Sequence, residues 1–263
     1  MWNPEDYAKN SDAQLKWAQG LKKNLDLQQY DSILDVGCGD GKITADFAVT
    51  SPESNVLGID SSSAMVEYAR KKYSKSQYPN LDFECIDARE FNFQQEFDLV
   101  FSNATLHWVD NHQAFLNGAN SSLRDGGRLI ISCGGAGNAA EILAVFAELT
   151  ASESWKDYFQ DFHNPYFFYG LEDYQTWLKG SGFAIARLEL VPKDMTHKGK
   201  EGLSGWIRTT WMPFTKCIPT DQRDDFIAQF VELFLTYNPE DARGLTHVSM
   251  MRLEVDAQKV NDY

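Results

Sequence analysis

The chain has 263 residues, with 38 acidic side chains against 24 Lys and Arg and a formal net charge of -14. That balance argues against non-specific nucleic-acid binding, which needs cations to neutralise phosphates. The 43% hydrophobic content is that of a globular chain able to bury its own core. No apolar run reaches bilayer-spanning length, and the opening MWNPEDYAKN has neither the basic nor the apolar region of a signal peptide. The expectation is a cytoplasmic monomer or homodimer, with no nucleic acid and no membrane as partner. Cys38, Cys85, Cys133 and Cys217 are scattered without ligand spacing, so no metal is expected.

In chain order, Leu15, Ala18, Leu21 and Leu25 at helical spacing predict an amphipathic helix over Ser11–Leu27. Ser32–Val36 reads as a short apolar strand that runs into Gly37-Cys38-Gly39-Asp40-Gly41, with Lys42–Val49 as the following helix. Asn55–Ile59 predicts a strand ending on Asp60, and Ser62–Lys72 a helix capped by Ser61 or Ser62. Leu81–Ile86 is a strand ending on Asp87, and Phe97–Ser102 one ending beside Asn103. Gln113–Leu123 is helical, and the turn Asp125-Gly126-Gly127 leads into a strand over Arg128–Cys133. Helices then fall at Ala139–Ala151, Leu171–Lys179, Gly202–Thr210 and Asp221–Tyr237, with strands at Phe183–Val191 and Thr246–Val255.

Strands alternating with helices predict an α/β fold, a doubly wound, mostly parallel seven-stranded sheet with a helical cap. Residues 1–28 would form a helical lid and residues 29–135 a cofactor-binding core. Residues 136–263 would complete the sheet and carry the inserted cap. Such sheets bind ligands at the carboxyl ends of the strands, where strand order reverses. Asp35, Asp60, Asp87 and Asn103 fall at those ends.

The loop Gly37 to Gly41 lets the backbone turn sharply and a ligand approach the main chain. Its third glycine comes one residue early for the dinucleotide pattern GxGxxG, and Lys42 is followed by Ile43, not the Ser or Thr of a phosphate loop. The spacing suits a ligand with no pyrophosphate. An acid at Asp60 can accept both hydroxyls of a ribose. Asp87 can accept from an adenine amine, and the small Ala88 leaves the ring room. Together these residues point to a nucleoside.

ILDVGCGDGKIT and GIDSSSAMVEYAR resemble the first two motifs of class I S-adenosylmethionine-dependent methyltransferases, and FDLVFSNATLHWV with LRDGGRLIIS resembles their fourth and fifth strands. The segments WNPEDYAKNSDAQLKWA and LHWV are similar to those of the trans-aconitate and juvenile hormone acid methyltransferases, which act on small-molecule carboxylates. WIRTTWMPF resembles their cap more loosely. The resemblance implies S-adenosylmethionine as cofactor, S-adenosylhomocysteine as product and a Rossmann-like fold. It implies that Gly37, Gly39 and Gly41, with Asp35 and Cys38, hold the methionine part. Asp60, Ser61 and Met65 would hold the ribose, and Asp87 and Ala88 the adenine. Asn103 and Leu106 would line the methionine side, and Tyr7 would close over the cofactor. Gln14 and Trp108 would grip the acceptor carboxylate, with Trp206, Arg208 and Trp211 in the cap. Aconitate-type enzymes carry Arg near the Gln14 position and Gln where this chain has His107. That departure, and the aromatic wealth of the cap, favours an apolar acid over a tricarboxylate.

A carboxylate is ionised at neutral pH and needs no general base. It needs orientation, which the Gln14 amide and the Trp108 indole can give without neutralising it. His107 has two readings. It could be the base for a hydroxyl, amine or carbon acceptor, or a histidine held by a backbone bond. A third reading is a non-catalytic cofactor-binding protein.

Overall fold

The computed structural model describes residues 20–22 and 25–260. β1 (Ser32–Val36) is buried along its whole length, as befits a central strand covered on both faces. It pairs in parallel with β2 (Asn55–Asp60) on one side, and β2 pairs in parallel with β3 (Leu81–Cys85). On its other side lies β4 (Phe97–Asn103), parallel again, followed by parallel β5 (Leu123–Gly134). Strand β6 (Phe183–Lys198) is outermost, and β7 (Leu245–Lys259) inserts between it and β5, antiparallel to β5. The resulting order is β3-β2-β1-β4-β5-β7-β6. This is the doubly wound, mostly parallel sheet that the sequence alternation predicts. Chain order reverses between β1 and β4, so the crevice at their carboxyl ends is where this fold places ligands.

The helices are α1 (Lys42–Thr50), α2 (Ser63–Lys72), α3 (His112–Ser122), α4 (Ala140–Thr150), α5 (Leu171–Gly180), α6 (Gly199–Thr210), the short α7 (Met212–Thr215) and α8 (Arg223–Tyr237). Alternation along the strands divides the core in two. Ile33, Leu99, Phe101 and Ile130 face α1 and α2 through Phe47, Ala48, Val66 and Ala69. Leu34, Val36, Val100, Ile131 and Leu253 face α3 and α5 through Phe115, Leu116, Tyr174 and Leu178.

Some boundaries differ from expectation. β5 starts at Leu123, because the Asp125–Gly127 turn is absorbed as an irregularity against β4, with Gly126 at φ 74. β6 and β7 run beyond their predicted ends. Of the helix predicted over Ser11–Leu27, only residues 20–22 are described as helical, and Leu27–Gln29 forms a 3-10 turn.

The chain divides into two compact units. One holds the described residues up to Ala136, then Phe167–Val191 and Arg252 onward; the other holds Gly137–Tyr166 and Pro192–Met251. The second unit has an aromatic core of its own, with Phe146 stacked 4.0 Å from Phe214 and 4.3 Å from Phe230. Among the described residues no helix is long and apolar enough to cross a membrane.

Candidate functional site

The loop between β1 and α1 has a conformation only glycine adopts without strain. Gly37, Gly39 and Gly41 have φ of 79, 54 and 77. A Cβ on Gly37 would lie 2.1 Å from the Thr105 side chain, and one on Gly41 would lie 2.7 Å from the Phe83 ring. The loop is tied to β2 by Gly37 and Cys38 N–H bonds to the Ile59 carbonyl, at 2.7 and 3.0 Å. Cys38 is buried, and burial pushes its thiol well above its usual range, so it acts as apolar packing.

Asp60, at the end of β2, accepts the Gly39 N–H on Oδ2 at 3.0 Å and the Ser62 N–H on Oδ1 at 2.8 Å. Partial burial raises its pKa. Each carboxylate oxygen has two lone pairs, so acceptor capacity remains for two hydroxyls. Ser61 is exposed beside it, Ser62 is the residue that caps α2, and Met65 is buried in the first turn of that helix. Asp35 lies beneath the loop at 2% exposure, where its Oδ2 accepts from the Thr44 hydroxyl at 2.7 Å. Desolvation lifts its pKa to about 7, against the Thr44 bond and with help from Asp60. Asp87 is gripped by Arg89, whose Nε and Nη2 lie 2.9 and 2.8 Å from its two oxygens, and that bond holds the carboxyl below its usual range. Ala88 is buried beside it. An adenine amine would share this carboxylate with Arg89, a neighbour the sequence reading passed over.

β4 ends on buried Asn103, and the next residue, Ala104, has φ 59. A left-handed conformation at a non-glycine residue is costly and persists where surrounding contacts impose it. Here the Ala104 N–H bonds the Ser132 carbonyl at 2.7 Å. The Thr105 hydroxyl lies 3.1 Å from the Gly37 carbonyl, linking this strand end to the glycine loop. Leu106–Trp108 form a single 3-10 turn. Leu106 is fully buried and Trp108 half-buried, with its ring 5.7 Å from that of His107. His107 Nδ1 accepts the Gly134 N–H at 3.2 Å, so the proton of the neutral ring sits on Nε2. Burial, with Arg252 and His112 nearby, pushes its pKa down to about 3.

Among residues the sequence reading missed, His112 is almost wholly buried. Its Nε2 donates to the Leu106 carbonyl and its Nδ1 faces the Tyr174 hydroxyl, each at 2.6 Å, fixing the turn that carries Leu106 to Trp108. Arg252, at 2% exposure, was also missed. Gln14 and Tyr7 lie outside the described residues. Trp206, Arg208 and Trp211 belong to the second unit. There Trp211 is buried, 4.9 Å from the Tyr166 ring, whereas Arg208 is exposed and Trp206 half-buried.

A methyltransferase-domain family profile matches residues 27–166. The chain belongs to the methyltransferase-domain family. A methyltransferase of Schizosaccharomyces pombe described as uncharacterized is 30% identical over 263 residues, covering 98% of each chain. A trans-aconitate 2-methyltransferase of Mycolicibacterium gilvum is 28% identical over 265 residues, covering 99% of this chain and all of its own. Among solved structures, phosphoethanolamine N-methyltransferase 2 of Haemonchus contortus, determined with S-adenosylhomocysteine, shares the fold at a TM-score of 0.58 and 22% identity, covering 94% of this chain and 53% of that one.

This methyltransferase is therefore an enzyme with S-adenosylmethionine as its cofactor. The residues at the crevice fit that group. The left-handed glycines bring bare backbone to the carboxyl end of β1, and Asp60 keeps acceptor capacity for a ribose. Asn103 adds a carboxamide at the end of β4.

Proposed function

We propose that this methyltransferase acts on the carboxylate of a small, rather apolar organic acid and gives its methyl ester. The observation that carries this reading is the state of His107. Its Nδ1 lone pair is taken by the Gly134 amide, its Nε2 bears the proton, and its pKa lies near 3. A ring held this way has no useful basicity to offer a hydroxyl or amine. A carboxylate asks for none. Relatives support the acid: besides trans-aconitate 2-methyltransferases, a malonyl-[acyl-carrier protein] O-methyltransferase of Acetivibrio thermocellus is 36% identical over 132 residues, covering 49% of this chain and 46% of its own.

When bound, S-adenosylmethionine supplies a methyl group activated on a sulfonium sulfur. In our reading Asp60 takes the ribose hydroxyls, Asp87 and Ala88 meet the adenine, and Gly37 to Gly41 with Asn103 hold the amino-acid end. Ser61, Met65 and Leu106 line these contacts, and Asp35 supports the loop from below. By its resemblance alone, Tyr7 is assigned to the cofactor. Gln14 and Trp108 orient the acceptor carboxylate through neutral N–H donors, which leaves its nucleophilic charge intact. Trp206, Trp211 and Arg208 are assigned to the acceptor's remainder, the aromatic pair favouring an apolar body.

The test is the pH dependence of kcat at saturating cofactor. Wild type and His107→Ala should both give flat profiles from about pH 6 to 8. An acidic limb present in wild type and absent from the variant would make His107 a base and the acceptor a hydroxyl or amine.

A further inference from the structure

Arg252 stands on β7 opposite Gly134, at the carboxyl end of β5. Its neighbours Leu253 and Val255 enter the hydrophobic core on one face of the sheet. The Arg252 guanidinium turns to the other face, where Nε donates to Ser132 Oγ at 3.2 Å. Its Nη2 lies 2.6 Å from the Ser132 carbonyl, 2.9 Å from Ser132 Oγ and 3.2 Å from Asn103 Oδ1.

A guanidinium is always charged and is expensive to remove from water. Placing one at 2% exposure, at the strand ends where this fold binds its ligands, has consequences beyond packing. The first concerns Asn103. Because its Oδ1 accepts from the guanidinium, its carboxamide is held in one orientation. The second concerns the strained strand end. The Ser132 carbonyl that takes the Arg252 donor also takes the N–H of Ala104, which leads through Thr105 to the glycine loop. The third is charge. Arg252 acts electrostatically on both His107 and Cys133, so its field covers the ends of β4 and β5.

We propose that Arg252 is a specificity-determining positioning residue, which fixes the Asn103 carboxamide and sets a permanent positive charge at the ends of β4 and β5, so that a carboxylate acceptor is selected over a neutral one. The proposal rests on the carboxylate reading above and adds the source of the charge selection. Gln14 and Trp108 are neutral donors and would serve an amide or ester nearly as well; a fixed cation would not.

The experiment uses the full chain loaded with S-adenosylhomocysteine, so that acceptors bind without turnover. Binding of malonate, trans-aconitate, benzoate and octanoate is measured by calorimetry against their primary amides. Wild type should bind its preferred acid at least about tenfold more tightly than the amide. In Arg252→Met, at saturating S-adenosylhomocysteine, the acid should weaken by about tenfold while the amide changes little. Arg252→Lys, which keeps the charge without the fork, should recover part of the preference. Arg252→Gln keeps donors for Ser132 without charge, and should repeat the loss if the Met variant does not fold. In turnover, KM for the acid should rise more than kcat falls. Acid preference surviving in the Met or Gln variant, or equal weakening of acid and amide, would overturn the role of Arg252 alone. Failure of the wild-type complex to bind any of the acids would overturn the carboxylate reading and this role with it.

Discussion

Asp35→Asn removes a carboxylate that the fold holds in an unfavourable place. With its pKa raised from 3.8 to about 7, Asp35 keeps its proton in the native chain over a range where the unfolded chain has lost it. Native binding of the extra proton means that the contribution of Asp35 to stability falls as pH rises from about 4 to 7. Three pKa units at about 1.4 kcal/mol each give a full penalty of about 4 kcal/mol. About half of it, roughly 2 kcal/mol, develops between about pH 5.5 and 8.5. Asparagine carries no such charge, and its Oδ1 can still accept the Thr44 hydroxyl. Urea unfolding of the cofactor-free proteins at both pH values is the assay. The variant should gain about 2 kcal/mol relative to wild type on going from the lower pH to the higher. The buried imidazoles of His107 and His112 pull in the opposite direction, but they are common to both proteins and cancel in the difference. Parallel pH–stability curves would refute the reasoning.

Gly37→Ala forces a Cβ to within 2.1 Å of Thr105 at a left-handed φ. It should destabilise the protein by at least about 1–2 kcal/mol in chemical unfolding and weaken S-adenosylhomocysteine binding at least about tenfold by calorimetry. For His107, nitrogen NMR should report a neutral ring protonated on Nε2 from neutral pH down to mild acid, gaining its second proton only toward pH 3. A titration near the ordinary histidine value would contradict that. Gln14→Ala and Trp108→Ala should each lower turnover while leaving the S-adenosylhomocysteine Kd within about twofold; normal turnover in both would remove their assigned roles.

The central strands and the glycine loop were legible because their signals are local. Ser32–Val36 carries Ile33, Leu34 and Val36 in a short run that ends in glycines, and the structure places β1 over those same residues. The last strand was harder. In Met250-Met251-Arg252-Leu253-Glu254 an arginine between apolar residues reads as one facing solvent, yet Arg252 is buried because its partners are Ser132 and Asn103, more than a hundred positions away. No spacing rule could reveal that. The His112–Tyr174 pair is hidden for the same reason. Arg89 is different, since it lies two residues from Asp87 and its grip could have been anticipated from their proximity. For His107, a histidine held by the backbone was one of two readings, but which backbone group holds it emerges only when β5 brings Gly134 alongside.

The most direct measurement is transfer of a labelled methyl group from S-adenosylmethionine to a panel of carboxylic acids, followed by mild alkali. A methyl ester releases its label as volatile methanol, and that release is the predicted result for at least one acid. Label that stays on the product through alkali, as it would on an amine, ether or carbon, would contradict carboxylate methylation by this enzyme.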